Sequence, residues 1–132
     1  MDTRQYIIDT GIILDYLSAR LPENGMDFLD TVINAIPNIS IITKIEVQSL
    51  QIPEEYTELV NNFLRDAIVL DLSNNVAKNC VLINQTHTLD ITQAVVAATA
   101  VTYNYTLVTN TTKPYAKIRG LNVINPWEIF VH

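Results

Sequence analysis

At 132 residues, with 48% apolar residues but only three glycines and five prolines, the chain has material for one packed domain of 1–132 and too little length for two. Eight Lys and Arg against fourteen Asp and Glu leave a formal net charge of −6. That excludes broad contact with nucleic-acid phosphates, which needs clustered cations, so any RNA contact has to be local or metal-mediated. The lone Cys80 cannot form an internal disulfide and, set in an apolar run, reads as a buried thiol. With no signal-like leader and no bilayer-length apolar stretch, a reducing cytoplasm is the expected location. The sequons at Asn84 and Asn104 are then accidents of composition.

In chain order, QYIID (5–9) reads as a short strand. A tight turn at Thr10 and Gly11 leads to a helix with Ile12, Ile13, Tyr16 and Leu17 on one face. Pro22 and Gly25 are expected to break the chain. Met26, Leu29, Ile33 and Ile36 mark a second helix that stops before Pro37. SIIT (40–43) is predicted as a second strand, running into the brief helix KIEVQSL with Thr43 and Glu46 in capping-box register. Pro53 suits the first turn of the next helix, whose apolar face is Tyr56, Val60, Phe63 and Leu64.

IVLDL (68–72) is the third strand. Ser73 is the expected N-cap of a helix burying Val76, Cys80, Val81 and Ile83. DITQAVVAATA (90–100) is a helix of small apolar side chains behind Asp90 and Gln93, which have capping-box spacing. TLVT (106–109), a helical segment around Pro114 to Ile118 and NVI (122–124), closed by Pro126, complete the series. Strands alternating with helices across short turns predict an α/β fold, a mostly parallel sheet flanked on both faces.

In such folds the loops after the strands build the site. Asp9 ends the first strand, Glu46 follows the second by about one helical turn, Asp90 and Gln93 open the small-residue helix, and Thr109 to Thr112 follow the fourth. Carboxylates converging from distant parts of the chain are the raw material for a Mg²⁺ or Mn²⁺ site. Simpler readings compete: a cap would fix Glu46 without any metal, and a cap likewise accounts for Asp90 with Gln93. Asp9 gains less from a purely structural role. Lys113, Lys117 and Arg119 are near enough to offer a phosphate contact at Lys113, although three cations in an acidic chain are more often a solvated face. His87 and His132 lack metal-ligand spacing and are expected at the surface. Asp71 with Lys113 and Pro114 gives superficial support to a phosphoacceptor receiver, which would need an acidic pair after the first strand that is missing here.

Four segments in order, IIDTGIILDYL (7–17), ISIITKIEVQSL (39–50), DITQAVVAATA (90–100) and TLVTNTTKPY (106–115) leading to IRGLNVINP (118–126), resemble the PIN domain. Within it they resemble the VapC-type toxins, the ribonuclease halves of bacterial toxin–antitoxin pairs. The resemblance covers nearly the whole chain and implies a three-layer α/β/α PIN-like fold. It also implies an acidic cluster holding Mg²⁺ or Mn²⁺ for endoribonuclease chemistry, with Asp9 and Glu46 as catalytic and metal-binding residues. Homodimers and a small antitoxin, its tail in the acidic groove, are implied as well. This chain departs from the pattern where it bears most on activity. The third family carboxylate falls on Gln93, the polar positions of the fourth motif fall on Thr111 and Pro114, and the usual Asn of the first motif is Gly11. Asp90 is a candidate substitute acid, most of a helical turn away, with the cap as the favoured reading. The expectation is a PIN-type, metal-dependent ribonuclease of weak or lost activity with an incomplete site. The alternative is an inactive PIN domain that serves as an antitoxin-binding or scaffold protein.

Overall fold

A computed structural model describes residues 4–130; His132 lies outside them. The five strands are β1 (Tyr6–Ile8), β2 (Asn38–Ser40), β3 (Ile68–Leu70), β4 (Thr106–Val108) and β5 (Val123–Ile124). The helices are α1 (Thr10–Leu17), α2 (Glu23–Asn34), α3 (Ile41–Ser49), α4 (Glu54–Asp66), α5 (Asn74–Thr86) and α6 (Ile91–Tyr103). The sheet order is β3-β2-β1-β4-β5, and every pairing among the described residues is parallel rather than mostly so.

Strand alternation divides the core in two. Ile7, Leu70 and Leu107 face α5 and α6, whereas Ile8, Ile39 and Val108 face the apolar sides of α1, α2 and α4. The result is three layers, helices over both faces of the sheet. Helix α6 packs chiefly on α5 and also touches α3, β2 and β4. With neighbours on several sides, all seven residues from Ala94 to Ala100 are buried. A helix enclosed in this way has no use for a polar face, and its small side chains let α5 come close. The Thr99 hydroxyl is satisfied by donating to the Val95 carbonyl at 2.7 Å.

Several expected boundaries move. Thr10 and Gly11 are the first residues of α1 rather than a turn, because Asp9 caps the helix by accepting from the Ile12 N–H. Helix α2 begins at Glu23, so Gly25 is helical and does not break the chain. It is buried where a Cβ would lie 2.3 Å from the Pro126 carbonyl oxygen. Ile36 leaves the helix with φ of 64° and is 56% exposed. Val81 points to solvent, 58% exposed, while Val76, Cys80 and Ile83 are buried as expected.

The expected strand 40–43 is the largest departure. Ser40 ends β2 and caps α3, its hydroxyl accepting from the Ile42 N–H. Ile41, Ile42 and Thr43 are therefore helical in spite of their β-branched side chains; packing overrides propensity. Thr43 lies inside the helix, wholly buried, and its hydroxyl is the one buried side-chain polar atom without a partner among the described residues. It caps nothing, so the capping box expected for Thr43 and Glu46 does not form.

Candidate active-site pocket

Strands β1 to β3 step away from β1 in one direction and β4 to β5 in the other, which puts the topological switch point between β1 and β4. Crevices open at the carboxyl ends of strands at such a point. Asp9 follows β1 there and Thr109 follows β4. The Asp9 N–H donates to the Val108 carbonyl at 3.2 Å, and the buried Thr109 hydroxyl donates to Asp9 Oδ2. Asp9 Oδ1 accepts the Ile12 N–H at 3.0 Å. Both oxygens of Asp9 are thus engaged from inside the protein. Burial raises its pKa, the donors from Thr109 and Ile12 oppose that rise, and the nearby charges of Glu46 and Asp15 add to it.

Glu46 reaches the same place from the middle of α3, its Oε1 accepting the Thr10 hydroxyl at 2.9 Å. With the expected helix cap gone, that tie to the residue after Asp9 is what orients Glu46. At the start of α6 the other expected cap is complete. Asp90 Oδ1 accepts the Gln93 N–H at 2.8 Å, and the Asp90 N–H donates to Gln93 Oε1 at 3.4 Å.

These residues line an open cavity of about 240 Å³, formed by Asp9, Thr10, Gly11, Glu46, Asp90, Thr92, Gln93, Val96, Thr111 and Tyr115. The structure therefore brings Asp9, Glu46, Asp90, Gln93 and Thr111 together. Pro114 and Lys113 lie on a 3₁₀ turn, Lys113–Tyr115, and neither lines the cavity. Lys113, Lys117 and Arg119 are exposed, and none of them lines the cavity. His87 is half-buried at the end of α5. Asp71 follows β3, an edge strand, outside the cavity, which removes the geometric basis for a receiver. Sequence reasoning missed Tyr115, whose pKa is raised first by burial and then by the charges of Asp9, Asp90 and Glu46. Its position as the last residue of the fourth motif was the available signal.

The donor set is poorly matched to a divalent ion. No three His, Cys, Asp or Glu side chains gather into a group able to hold a metal among the described residues. Gln93 supplies an uncharged amide whose oxygen is already used in the cap, whereas Mg²⁺ demands near-octahedral geometry and is usually held through carboxylates and water. No Lys or Arg lines the cavity either, so the negative charge of its carboxylates is not offset there.

No family model matches the chain, and no curated protein matches it in sequence. Solved structures do. A toxin–antitoxin complex from Klebsiella pneumoniae contains a chain 26% identical, aligned over 95% of this chain and 100% of that one with a TM-score of 0.73. DNA-bound VapBC from Salmonella typhimurium gives 19% identity, 94% and 99% coverage and a TM-score of 0.75. VapBC2 from Rickettsia felis, bound to a promoter DNA fragment, gives 22% identity, 91% and 97% coverage and a TM-score of 0.73. The all-parallel sheet, the pocket at its switch point and these similarities together identify the fold as the PIN-domain fold.

Proposed function

We propose that this chain is a VapC-like toxin-type protein whose acidic pocket serves mainly to engage an antitoxin. Its Mg²⁺- or Mn²⁺-dependent endoribonuclease activity is weak or lost. The observation that carries this reading is Gln93: at the position of the third family carboxylate stands an amide committed to capping α6. Asp9 and Glu46 keep the pocket acidic, which favours a cationic segment of a partner over RNA phosphate. The similar structures are toxin–antitoxin complexes, which supports an antitoxin as that partner. A separate apolar cleft of about 290 Å³ between α1 and α4, lined by Leu14, Leu17, Leu50, Ile52 and Tyr56 among others, offers a seat for the partner's body. The protein works as a homodimer in the cytoplasm on this reading.

The test is incubation of the purified protein with structured RNA and Mg²⁺ or Mn²⁺, alongside Asp9→Ala and EDTA controls and the double variant Gln93→Asp with Thr111→Asp. Loss of even supporting groups around a metal costs roughly 10- to 100-fold, so the parent is expected to cleave slowly or not at all. The double variant gains metal-dependent cleavage. Fast cleavage by the parent, abolished by EDTA and by Asp9→Ala, would overturn the proposal of an impaired enzyme. Cleavage indifferent to Asp9→Ala would remove Asp9 from the site.

A further inference from the structure

Tyr115 is 4% exposed, and its hydroxyl makes no hydrogen bond to any described residue. That hydroxyl is not sealed in the core, because the sole buried side-chain polar atom lacking a partner among the described residues belongs to Thr43. Tyr115 lines the pocket, so the phenol opens into it, its ring packed with the core that includes Ala94, Ala97 and Ile118. A hydroxyl that opens into the pocket with no internal partner keeps its proton available to a bound group. A bound group with an acceptor oxygen can take that hydrogen bond in place of water.

The rest of the pocket narrows the choice of occupant. Asp9, Glu46 and Asp90 contribute carboxylates and no Lys or Arg offsets them, so the occupant carries positive charge. A bare cation has no acceptor to offer the phenol. We propose that Tyr115 is a specificity-determining residue: its hydroxyl donates to a peptide carbonyl of a basic segment whose guanidinium or ammonium group sits against Asp9 and Glu46. This rests on the pocket being a partner site, as argued above, and adds selection for a cation attached to a peptide over a free cation of equal charge.

The experiment is an NMR titration at low ionic strength with two probes, acetyl-glycyl-arginyl-glycine amide and methylguanidinium. It uses the parent protein, Tyr115→Phe and Asp9→Asn. The expected result is that Tyr115→Phe weakens the tripeptide roughly five- to tenfold, the range of one lost hydrogen bond, and leaves methylguanidinium unchanged. Asp9→Asn weakens both. The unfolding midpoint of Tyr115→Phe holds or rises, since no internal partner is lost. Equal tripeptide affinity in the parent and Tyr115→Phe, equal weakening of both probes by that variant, or a lower midpoint overturns the role of the hydroxyl. Binding indifferent to Asp9→Asn, or absence of binding by either probe, overturns the cationic-partner reading on which it rests.

Discussion

Gly25→Ala tests whether the C-terminal segment is built onto the helices or merely lies against them. A Cβ there would stand 2.3 Å from the Pro126 carbonyl oxygen, where even close C···O contacts are about 3.3–3.6 Å, so one partner must move by about 1 Å. The oxygen belongs to backbone that is tied down nearby. The Trp127 indole N–H donates to Asp15 Oδ2 on α1 at 3.0 Å, Asn24 Nδ2 on α2 donates to the Ile129 carbonyl at 3.2 Å, and Asn125 caps the 3₁₀ turn Pro126–Glu128. Alanine gains about 1 kcal/mol of helix propensity over glycine. Against this stand about 1–3 kcal/mol of overpacking and, where the segment lifts away, about 1 kcal/mol for each of the two side-chain bonds. The expected net loss is about 0–2 kcal/mol with the segment held in place and about 2–4 kcal/mol where it lifts, with a Tm drop of about 4 °C per kcal/mol in a chain of this size. Trp127 is the sole tryptophan, so its fluorescence in a denaturant titration reports this segment directly. An unchanged midpoint with an unchanged native emission spectrum would refute the reasoning, since the clash would then have been absorbed at no cost.

Thr43→Val replaces a buried hydroxyl lacking a partner by a methyl group of the same shape, and should raise stability by about 1–3 kcal/mol in chemical denaturation; a loss would show that the hydroxyl is satisfied. For Asp9, burial raises the folded-state pKa above 3.8, so the charged form costs stability. The contribution favouring the fold is complete below pH 3.8 and is lost as pH rises through the raised folded value. Asp9→Asn, which can still cap α1, should therefore raise the unfolding midpoint at pH 7 and give no gain in strong acid; a gain of equal size at both would assign the effect to something other than ionisation. Asp90→Ala removes the cap of α6 and should cost about 1 kcal/mol of stability. An unchanged midpoint in thermal melts would leave the capping account without support.

The general architecture was legible because its signals are local. Alternation in QYIID, the helical repeat in α4 and the small-residue run of α6 each name an element by side-chain period alone. The Asp90 and Gln93 cap was legible for the same reason: both halves lie within one turn. Where the reading went astray, a distant neighbour decides. Ile41, Ile42 and Thr43 carry strand-like side chains, yet the Ser40 cap starts the helix and packing buries Thr43. Gly25 looks like a breaker until Pro126 is seen against it. The pocket was half legible, since Asp9 and Glu46 stand at strand and helix positions that topology brings together. Its actual ties, Thr10 to Glu46 and Thr109 to Asp9, cross 36 and 100 residues respectively, and no spacing within one element announces them.

The central strand has a consequence for how the protein is made. β1 pairs with β4 in the register Tyr6 to Thr106 and Ile8 to Val108, so the innermost strand waits for a partner about 100 residues behind it at the ribosome. At synthesis rates of about 5–20 residues per second that wait lasts about 5–20 seconds. During it β1 can pair with β2 but its other edge stays open, and Asp9 lacks Thr109. The acidic pocket is therefore assembled late, after α6 and β4 have emerged, and a truncated product ending before residue 106 carries the first carboxylates without the crevice that holds them together.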